Sequence, residues 1–305
     1  MIVGISMTEN VIIGANSYIA RNFVYKLTNN YKCTSFKLYG KDDCQIDGFA
    51  NYNKVNILDE NDTNHIDLNC KYLYIFVGKT GSADGFENYI DSININQIAL
   101  LNILNQYVKQ KSQAKIVFLS TRLIYGNSFE PYKEDSVPVL KSIYAVNKYA
   151  CEKYLDIYSK VFDVNYVVLR LCIPYGTLIA GASSYGTCGF MLKKAMNKEN
   201  ITIYGDGSQR RTFTYIGDVS DIIYNVAIND KCINDVYNIG GEDYSLNEVA
   251  KLIANKYNVN VDYIPFPEIE NKIESGDTVF NSEKLDNIIG NLHKNKISNW
   301  INSIF

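Results

Sequence analysis

Short apolar runs alternate with helical patterns through the first half of the chain. The predicted strands are Asn10–Gly14, Cys33–Gly40, Lys54–Leu58, Lys71–Gly78, Lys115–Thr121 and Asn165–Cys172. Apolar residues at helical spacing predict helices between them, at Tyr18–Leu27, Ile95–Val108 and Tyr144–Tyr158. Strands that alternate with helices are typical of βαβ units. The pattern therefore predicts an α/β fold with a doubly wound parallel sheet of the Rossmann type, whose ligand site lies beyond the carboxyl ends of the strands.

The alternation changes after about Cys172, where it is interrupted by Pro174, Gly176, Gly181, Gly186 and Gly189. A late strand is predicted at Val236–Gly241, followed by a helix at Ser245–Tyr257. No linker or internal repeat separates the two parts, so we expect residues 173–305 to form a smaller α/β lobe packed against residues 1–172 and interleaved with late elements of the first part. The role of the leading MIVGIS segment stays open.

Composition limits the class of protein. The chain is 47% hydrophobic and 21% charged, with a formal net charge of −3. These values allow a sizeable core and exclude a disordered chain. The sequence lacks the basic excess of a nucleic-acid binder, an apolar run of membrane-spanning length and a secretory signal pattern. We therefore expect a cytoplasmic protein that binds neither nucleic acid nor membrane.

The cysteines and histidines give no sign of a disulfide framework or a metal site. Seven cysteines are scattered without a CxxC pair, and there are two histidines. Free thiols in a reducing compartment are the simplest interpretation. The one unusual feature is 25 tyrosines, which raises the question of whether any of them does chemistry.

A glycine turn at Ile12–Ala20 joins the first strand to the first helix. Glycines at such a junction let backbone N–H groups approach a phosphate at a helix N-terminus. Only Gly14 is present, because Ser17 and Ala20 occupy the next two glycine positions. A phosphate-binding turn and an ordinary strand–turn–helix junction both remain open from these residues alone.

Tyr144 and Lys148 are four residues apart and share one face of a predicted helix. An ammonium group near a phenol favours the phenolate and lowers the pKa of the tyrosine. Thr121, at the end of a buried strand, offers a hydroxyl that can hold a substrate oxygen. The set could oxidise an alcohol or reduce a ketone, although a chance pairing in a tyrosine-rich chain stays open.

Two further stretches are of interest for ligand binding. Gly205–Val219 contains adjacent arginines, which can bind a phosphate through two parallel hydrogen bonds or can form a solvated basic turn. Arg170–Gly176 is an apolar strand that ends in a turn.

Together and in this order, these stretches resemble the extended short-chain dehydrogenase/reductases, the NAD(P)-dependent nucleotide-sugar epimerase/dehydratase family. The resemblance runs from Val11 to about Gly290 and includes Val55–Asp59 and Val236–Gly241. It implies that residues 1–172 bind the dinucleotide and carry the catalytic residues, and that residues 173–305 mainly bind a nucleotide sugar.

The resemblance also implies roles for individual residues. Tyr144 matches the catalytic acid/base, Lys148 the residue that lowers its pKa and holds the nicotinamide ribose, and Thr121 the catalytic hydroxyl. The predicted cofactor residues are Gly14, Asn16, Ser17, Tyr18 and Ile19 at the phosphates, Asn56 and Ile57 at the adenine, and Phe76 and Val77 beside the cofactor. The predicted substrate residues are Arg122, Ile173 and Arg211, the last of which matches the arginine that holds the diphosphate.

Departures from the family pattern narrow the expected activity. Family 4,6-dehydratases carry acidic residues after the catalytic Thr, whereas this chain has Arg122 and Leu123. We therefore expect an epimerase that transfers a hydride at one sugar carbon, C4 in most members, and not a 4,6-dehydratase. A one-way 4-keto-sugar reductase or dehydrogenase is the alternative, and a non-catalytic NAD(P)-binding regulator, suggested by Ser17, is a third.

The cofactor and the assembly state are less constrained. NAD-preferring members carry an acid at the end of the second strand, where this chain has Lys41. Lys41 either pairs with the 2′-phosphate of NADP or is a solvated loop residue, so NAD and NADP both stay open. The resemblance also implies a homodimer formed through the helices at Ile95–Val108 and Tyr144–Tyr158.

Overall fold

The computed structural model describes residues 8–44, 52–126, 128, 130–182 and 184–304. The MIVGIS segment lies outside these ranges. The first part contains β1 (Thr8–Ile13), α1 (Tyr18–Asn29), β2 (Phe36–Gly40), β3 (Tyr52–Lys54), α2 (Glu60–Thr63), β4 (Cys70–Ile75), α3 (Asp84–Glu87), α4 (Tyr89–Ile93), α5 (Ala99–Lys109), β5 (Lys115–Thr121), α6 (Ile143–Phe162) and β6 (Tyr166–Leu171). A π-helical turn at Asn94–Ile98 joins α4 to α5, and a 3-10 turn at Arg122–Ile124 follows β5.

The second part continues without a break in the path of the chain. It contains β7 (Ile173–Tyr175), α7 (Gly186–Met196), β8 (Ile201–Tyr204), β9 (Arg210–Tyr215), α8 (Ile216–Ile228), β10 (Asp235–Asn238), β11 (Glu242–Ser245), α9 (Leu246–Tyr257), β12 (Val261–Ile264), α10 (Glu268–Ile273), α11 (Glu283–Ile289) and α12 (Ile297–Ser303).

A seven-stranded parallel sheet organises the molecule, in the order β10-β6-β5-β4-β1-β2-β3. Its central strands are nearly continuous apolar runs because helices cover both faces. Residues of α1 and α8 pack on one face, and residues of α5 and α6 pack on the other. The predicted doubly wound parallel sheet of the Rossmann type is confirmed.

The chain beyond residue 172 contributes to both parts of the molecule. β10 pairs with β6 and forms an edge of the large sheet, and α8 packs against α1. The remaining strands form a three-stranded sheet, β11-β9-β7, and a two-stranded sheet, β12-β8. A separate apolar core under α7, α9 and α12 holds this smaller lobe together. No helix within the described ranges is long and apolar enough to cross a membrane.

The third strand differs from the prediction. The sequence predicts it at Lys54–Leu58, whereas β3 is Tyr52–Lys54 and a turn follows. The side chain of Asn56 accepts a hydrogen bond from the Leu58 N–H, and the Asp62 carboxylate accepts one from the Asn56 N–H. These local bonds close a turn within the apolar run, which is the alternative that Asn and Asp offer to a strand.

Candidate active site

A cavity of about 890 Å³ opens beyond the carboxyl ends of β1, β4, β5 and β6. This is the place where doubly wound sheets bind their ligands. Eleven of the sequence-predicted site residues line it: Asn16, Ser17, Tyr18, Ile19, Phe76, Val77, Thr121, Arg122, Tyr144, Lys148 and Ile173. The ends of separate strands and the start of α6 therefore bring these residues together around one space.

The glycine turn fits a dinucleotide phosphate group. Gly14 has a φ of +82°, and a Cβ there would lie 2.9 Å from the backbone of Phe76 and Val77. Only glycine therefore lets the turn pack against the end of β4. Ser17 caps α1 by accepting a hydrogen bond from the Ala20 N–H, and the helix N-terminus favours an anion. Gly14 shapes this turn without lining the cavity itself.

The Thr121 hydroxyl lies beside the Tyr144 phenol and stabilises its phenolate form. Thr121 is the last residue of β5, and Ser142 caps α6 by accepting from the Ala145 N–H, which places Tyr144 in the first turn of the helix. Burial raises the pKa of Tyr144 to about 12, while the Thr121 hydroxyl and the charge of Arg122 act in the opposite direction. Tyr144 therefore holds its proton at neutral pH.

Lys148 lies one turn after Tyr144 and is 5% exposed. Its Nζ lies 4.3 Å from the centre of the Phe118 ring. Burial lowers the pKa of Lys148 to about 8, against the charges of Cys151 and Glu152, which raise it. The sequence predicts that this ammonium lowers the pKa of Tyr144. In the structure, burial raises the phenol pKa by more than the groups that lower it, among them Thr121 and Arg122.

Replacing Lys148 by Met is expected to raise the free energy of unfolding by about 2 kcal/mol at pH 7, since it removes a buried charge. The pKa of Lys148 is lower in the folded protein, about 8, than its ordinary value of 10.5. The unfolded chain therefore binds more protons between these pH values, and the stability of the wild type rises there. The advantage of Lys148→Met should shrink as the pH approaches 10.

Urea unfolding of both proteins at pH 7 and at pH 9.5 measures this effect. Lys153→Met removes an exposed lysine of the same helix and is the matched control, for which a pH-independent change is expected. A constant difference between wild type and Lys148→Met at the two pH values contradicts the prediction.

Arg122 follows Thr121 directly, and it lines the same cavity as Thr121 and Tyr144. Its Nη1 donates to Ser275 Oγ at 2.9 Å and to Thr278 Oγ1 at 3.2 Å. Burial lowers the pKa of Arg122 to about 10, and the like charge of Arg211 acts in the same direction. Arg122 stays protonated at neutral pH and places a fixed positive charge beside the cavity.

Arg211 does not line the cavity, contrary to the role implied by the resemblance. It is 1% exposed and donates to the carbonyl oxygens of Arg210 and Gly276 and to the carboxylate of Glu274. Its donors hold the segment at residues 274–278 against β9, so they are engaged within the protein. Arg210, its neighbour, is the exposed arginine of the pair and binds Asp243 and Glu248.

Three other predicted cofactor residues also lie outside the cavity lining. Lys41 is exposed in the bend after β2, and Asn56 and Ile57 belong to the turn before α2. The cavity contains residues that the sequence analysis missed, among them Arg21 of α1 and Tyr185, whose ring lies 5.7 Å from that of Tyr18. Arg21 lies one turn into the helix that follows the glycine turn, and this position could have identified it as a cavity residue from the sequence. No sequence signal marks Tyr185.

Behind the cavity, a buried ion pair connects α6 to β6. Arg170 Nε and Nη2 donate to the two oxygens of Glu152 at 3.1 and 2.7 Å. Arg170 Nη1 also donates to Tyr125 Oη and to the carbonyl oxygen of Glu134. Because Glu152 is one turn after Lys148, this pair fixes the helix that carries Tyr144 and Lys148 against the sheet.

Comparison with known proteins places this geometry in a family. The chain is 30% identical over 136 residues to a putative UDP-glucose 4-epimerase of Methanocaldococcus jannaschii, and the match covers 44% of each chain. The chain thus spans less than half the length of this relative. Among solved structures, it matches the UDP-glucose 4-epimerase of Thermotoga maritima in complex with UDP-glucose, with a TM-score of 0.82, 22% identity and 96% of each chain covered.

A second solved structure is the UDP-glucuronic acid 4-epimerase of Bacillus cereus in complex with UDP-glucuronic acid and NAD. It matches with a TM-score of 0.83 and 19% identity, over 97% of each chain. At these identities the structural likeness establishes the fold alone. The sequence model described as the NAD dependent epimerase/dehydratase family matches residues 10–240, which include the glycine turn, Thr121, Tyr144 and Lys148. The chain therefore belongs to the NAD dependent epimerase/dehydratase family.

Proposed function

We propose that this protein is an NAD(P)-dependent nucleotide-sugar epimerase that acts at C4 of the sugar. The observation that carries the proposal is the placement of Thr121, Tyr144 and Lys148 around one cavity that also receives the N-terminus of α1. A hydroxyl, a phenol and a buried ammonium beside a phosphate-binding turn form the set needed for reversible alcohol–ketone chemistry. Both solved structures described above are 4-epimerases, which supports the same reaction.

In this proposal the turn at residues 14–19 holds the cofactor diphosphate, and Lys148 holds the nicotinamide ribose. A bound nicotinamide supplies the acceptor and the donor of the hydride. Phe76 and Val77 lie at the end of β4 and form the wall beside it. The residues of the smaller lobe that line the cavity, such as Ile173, contact the nucleotide sugar.

Tyr144 Oη is the group that gives and takes the proton of the sugar oxygen. At neutral pH the phenol carries its proton, so it can donate to a ketone oxygen directly. Oxidation of the sugar alcohol starts from the phenolate, which forms when the Oη proton passes to solvent. The phenolate then takes the proton of the sugar hydroxyl as C4 gives up a hydride, and the Thr121 hydroxyl beside it stabilises the phenolate. The keto sugar then turns in the cavity, so that C4 would take the hydride back on its other face while Tyr144 Oη returns the proton to the sugar oxygen.

The residues after Thr121 argue against 4,6-dehydration. Arg122 is protonated and bonded to hydroxyls, and Leu123 has no group that exchanges protons. Neither can protonate a leaving hydroxyl or abstract a carbon-bound proton at neutral pH. Oxidation and re-reduction at one carbon need no further acid or base beyond Tyr144.

Incubation with UDP- and dTDP-hexoses, with proton NMR of the sugar, tests the proposal. The expected result is the appearance of the C4 epimer without a net change in absorbance at 340 nm. Stoichiometric loss of absorbance with a 4-keto sugar and NADPH would instead identify the 4-keto-sugar reductase. Binding of NAD or NADP without conversion of any sugar would identify the regulator, and mass spectrometry of nucleotides that co-purify distinguishes NAD from NADP.

We also propose that the protein forms a homodimer through α4 to α6. Ile157 is 52% exposed and Val161 is 62% exposed on α6, and Ile90 of α4 is 61% exposed. Apolar side chains clustered on adjacent helices are typical of a protein interface.

Ile157→Lys combined with Val161→Lys is expected to convert a dimer to a monomer in light scattering after size exclusion. Ile228→Lys, at a different exposed apolar position, is the control. A wild-type monomer would contradict the proposal.

A further inference from the structure

The acid/base chemistry above gives the charge of Arg122 no role beyond its effect on the pKa of Tyr144. It follows Thr121 directly and lines the cavity. Within the described ranges, the side chains that accept its hydrogen bonds are the hydroxyls of Ser275 and Thr278. Hydroxyls orient the guanidinium without neutralising its charge.

The charges around Arg122 leave an excess of positive charge at this wall. Arg211 lies close enough to repel it, and Glu274 is the carboxylate whose charge favours it. Glu274 is already bound by Arg211 Nη2 at 2.6 Å. Two guanidinium groups therefore share one carboxylate, and among the described residues no anion is bonded to the guanidinium that lines the cavity. A partly buried charge of this kind is stabilised when a ligand brings an anion to it.

We propose that Arg122 binds a carboxylate on the sugar, so that the substrate is a nucleotide sugar of the uronic acid class. This inference rests on the proposed function and specifies its substrate. The planar fork of a guanidinium matches the two oxygens of a carboxylate, which a hydroxymethyl group cannot replace.

The position of Arg122 decides between the sugar and the diphosphate as the source of the anion. Arg122, its neighbour Thr121 and Tyr144 line the same cavity, and the charge of Arg122 acts on the Tyr144 phenol. The anion therefore lies near the reacting carbon. In a uronic acid the carboxylate is attached to C5, next to C4, so one sugar can present its C4 oxygen to Tyr144 and its carboxylate to Arg122.

The test compares acidic and neutral sugars that share a nucleotide: glucuronate and glucose as their UDP and dTDP forms. Wild type is expected to bind the glucuronate form about 100-fold more tightly and to convert it with a correspondingly higher kcat/KM. Arg122→Gln should lose about 100-fold on the glucuronate form and change little on the glucose form. Arg122→Lys, which keeps the charge without the fork, should lose less.

Calorimetric binding is measured together with turnover, so the substrate class is tested even if the reaction type is not epimerisation. Arg210→Gln, which removes an exposed arginine outside the cavity, is the matched control, and thermal melts verify the folding of each variant. Equal binding of the acidic and neutral sugars by wild type, including no binding of either, overturns the proposal. An equal loss on both sugars and on UDP alone in Arg122→Gln also overturns it, because it assigns the arginine to the diphosphate.

Discussion

Tyr144→Phe is expected to lower kcat about 1,000-fold, because it removes the only oxygen in the proposed mechanism that gives and takes the sugar proton. The ring remains, so the packing at the start of α6 and the cofactor site should be unchanged. KM should move little, since the lost interaction is made mainly in the transition state. Initial rates with the sugar that the wild type converts, measured beside a titration with NAD, separate loss of chemistry from loss of binding.

Tyr149→Phe is the matched control for this experiment. Tyr149 lies on the same helix, five residues further along, outside the cavity lining, and its ring is covered by Lys153. Its loss of a hydroxyl should leave kcat within about twofold of the wild type. If Tyr144→Phe retains a rate close to that of Tyr149→Phe, then Tyr144 is not the acid/base and the mechanism proposed here is wrong.

Local sequence patterns predict the parts of this molecule that depend on neighbours along the chain. The spacing of Tyr144 and Lys148 places them on one helical face, and the end of an apolar strand places Thr121 at the ligand edge. Because parallel strands end at the same edge of a sheet, these residues meet in one cavity. The order of strand and helix therefore carries both the fold class and the grouping of the proposed catalytic side chains.

Arg211 shows what such patterns do not contain. The adjacent arginines look alike in the sequence, but strand alternation sends their side chains to opposite faces of β9. Which face is buried depends on the segment at residues 274–278, more than sixty residues away, whose Glu274 binds Arg211. Lys148 gives a second case, since its low pKa comes from the depth of its burial. Long-range packing decides both properties, and one local stretch of sequence does not specify it.

The buried ion pair behind the site depends on both local spacing and long-range packing. Glu152 lies one turn after Lys148 on α6, and it binds Arg170 of β6. Glu152→Gln is expected to lower the free energy of unfolding by about 3–5 kcal/mol. Glu152 and Arg170 have side chains that are 2% and 5% exposed. The amide keeps the shape of the side chain but leaves the buried guanidinium without the carboxylate that is bonded to it. Urea unfolding at pH 7 measures the loss.

Asp156→Asn is the control for this prediction, because Asp156 pairs with Lys160 on the exposed side of the same helix. An exposed pair of this kind contributes at most about 0.5 kcal/mol. The double variant Glu152→Leu with Arg170→Met removes both charges and should recover part of the stability lost in Glu152→Gln. If Glu152→Gln is no less stable than Asp156→Asn, the pair does not hold α6 against the sheet. If it is destabilised as expected, the position of Tyr144 and Lys148 depends on a contact that takes no part in the chemistry.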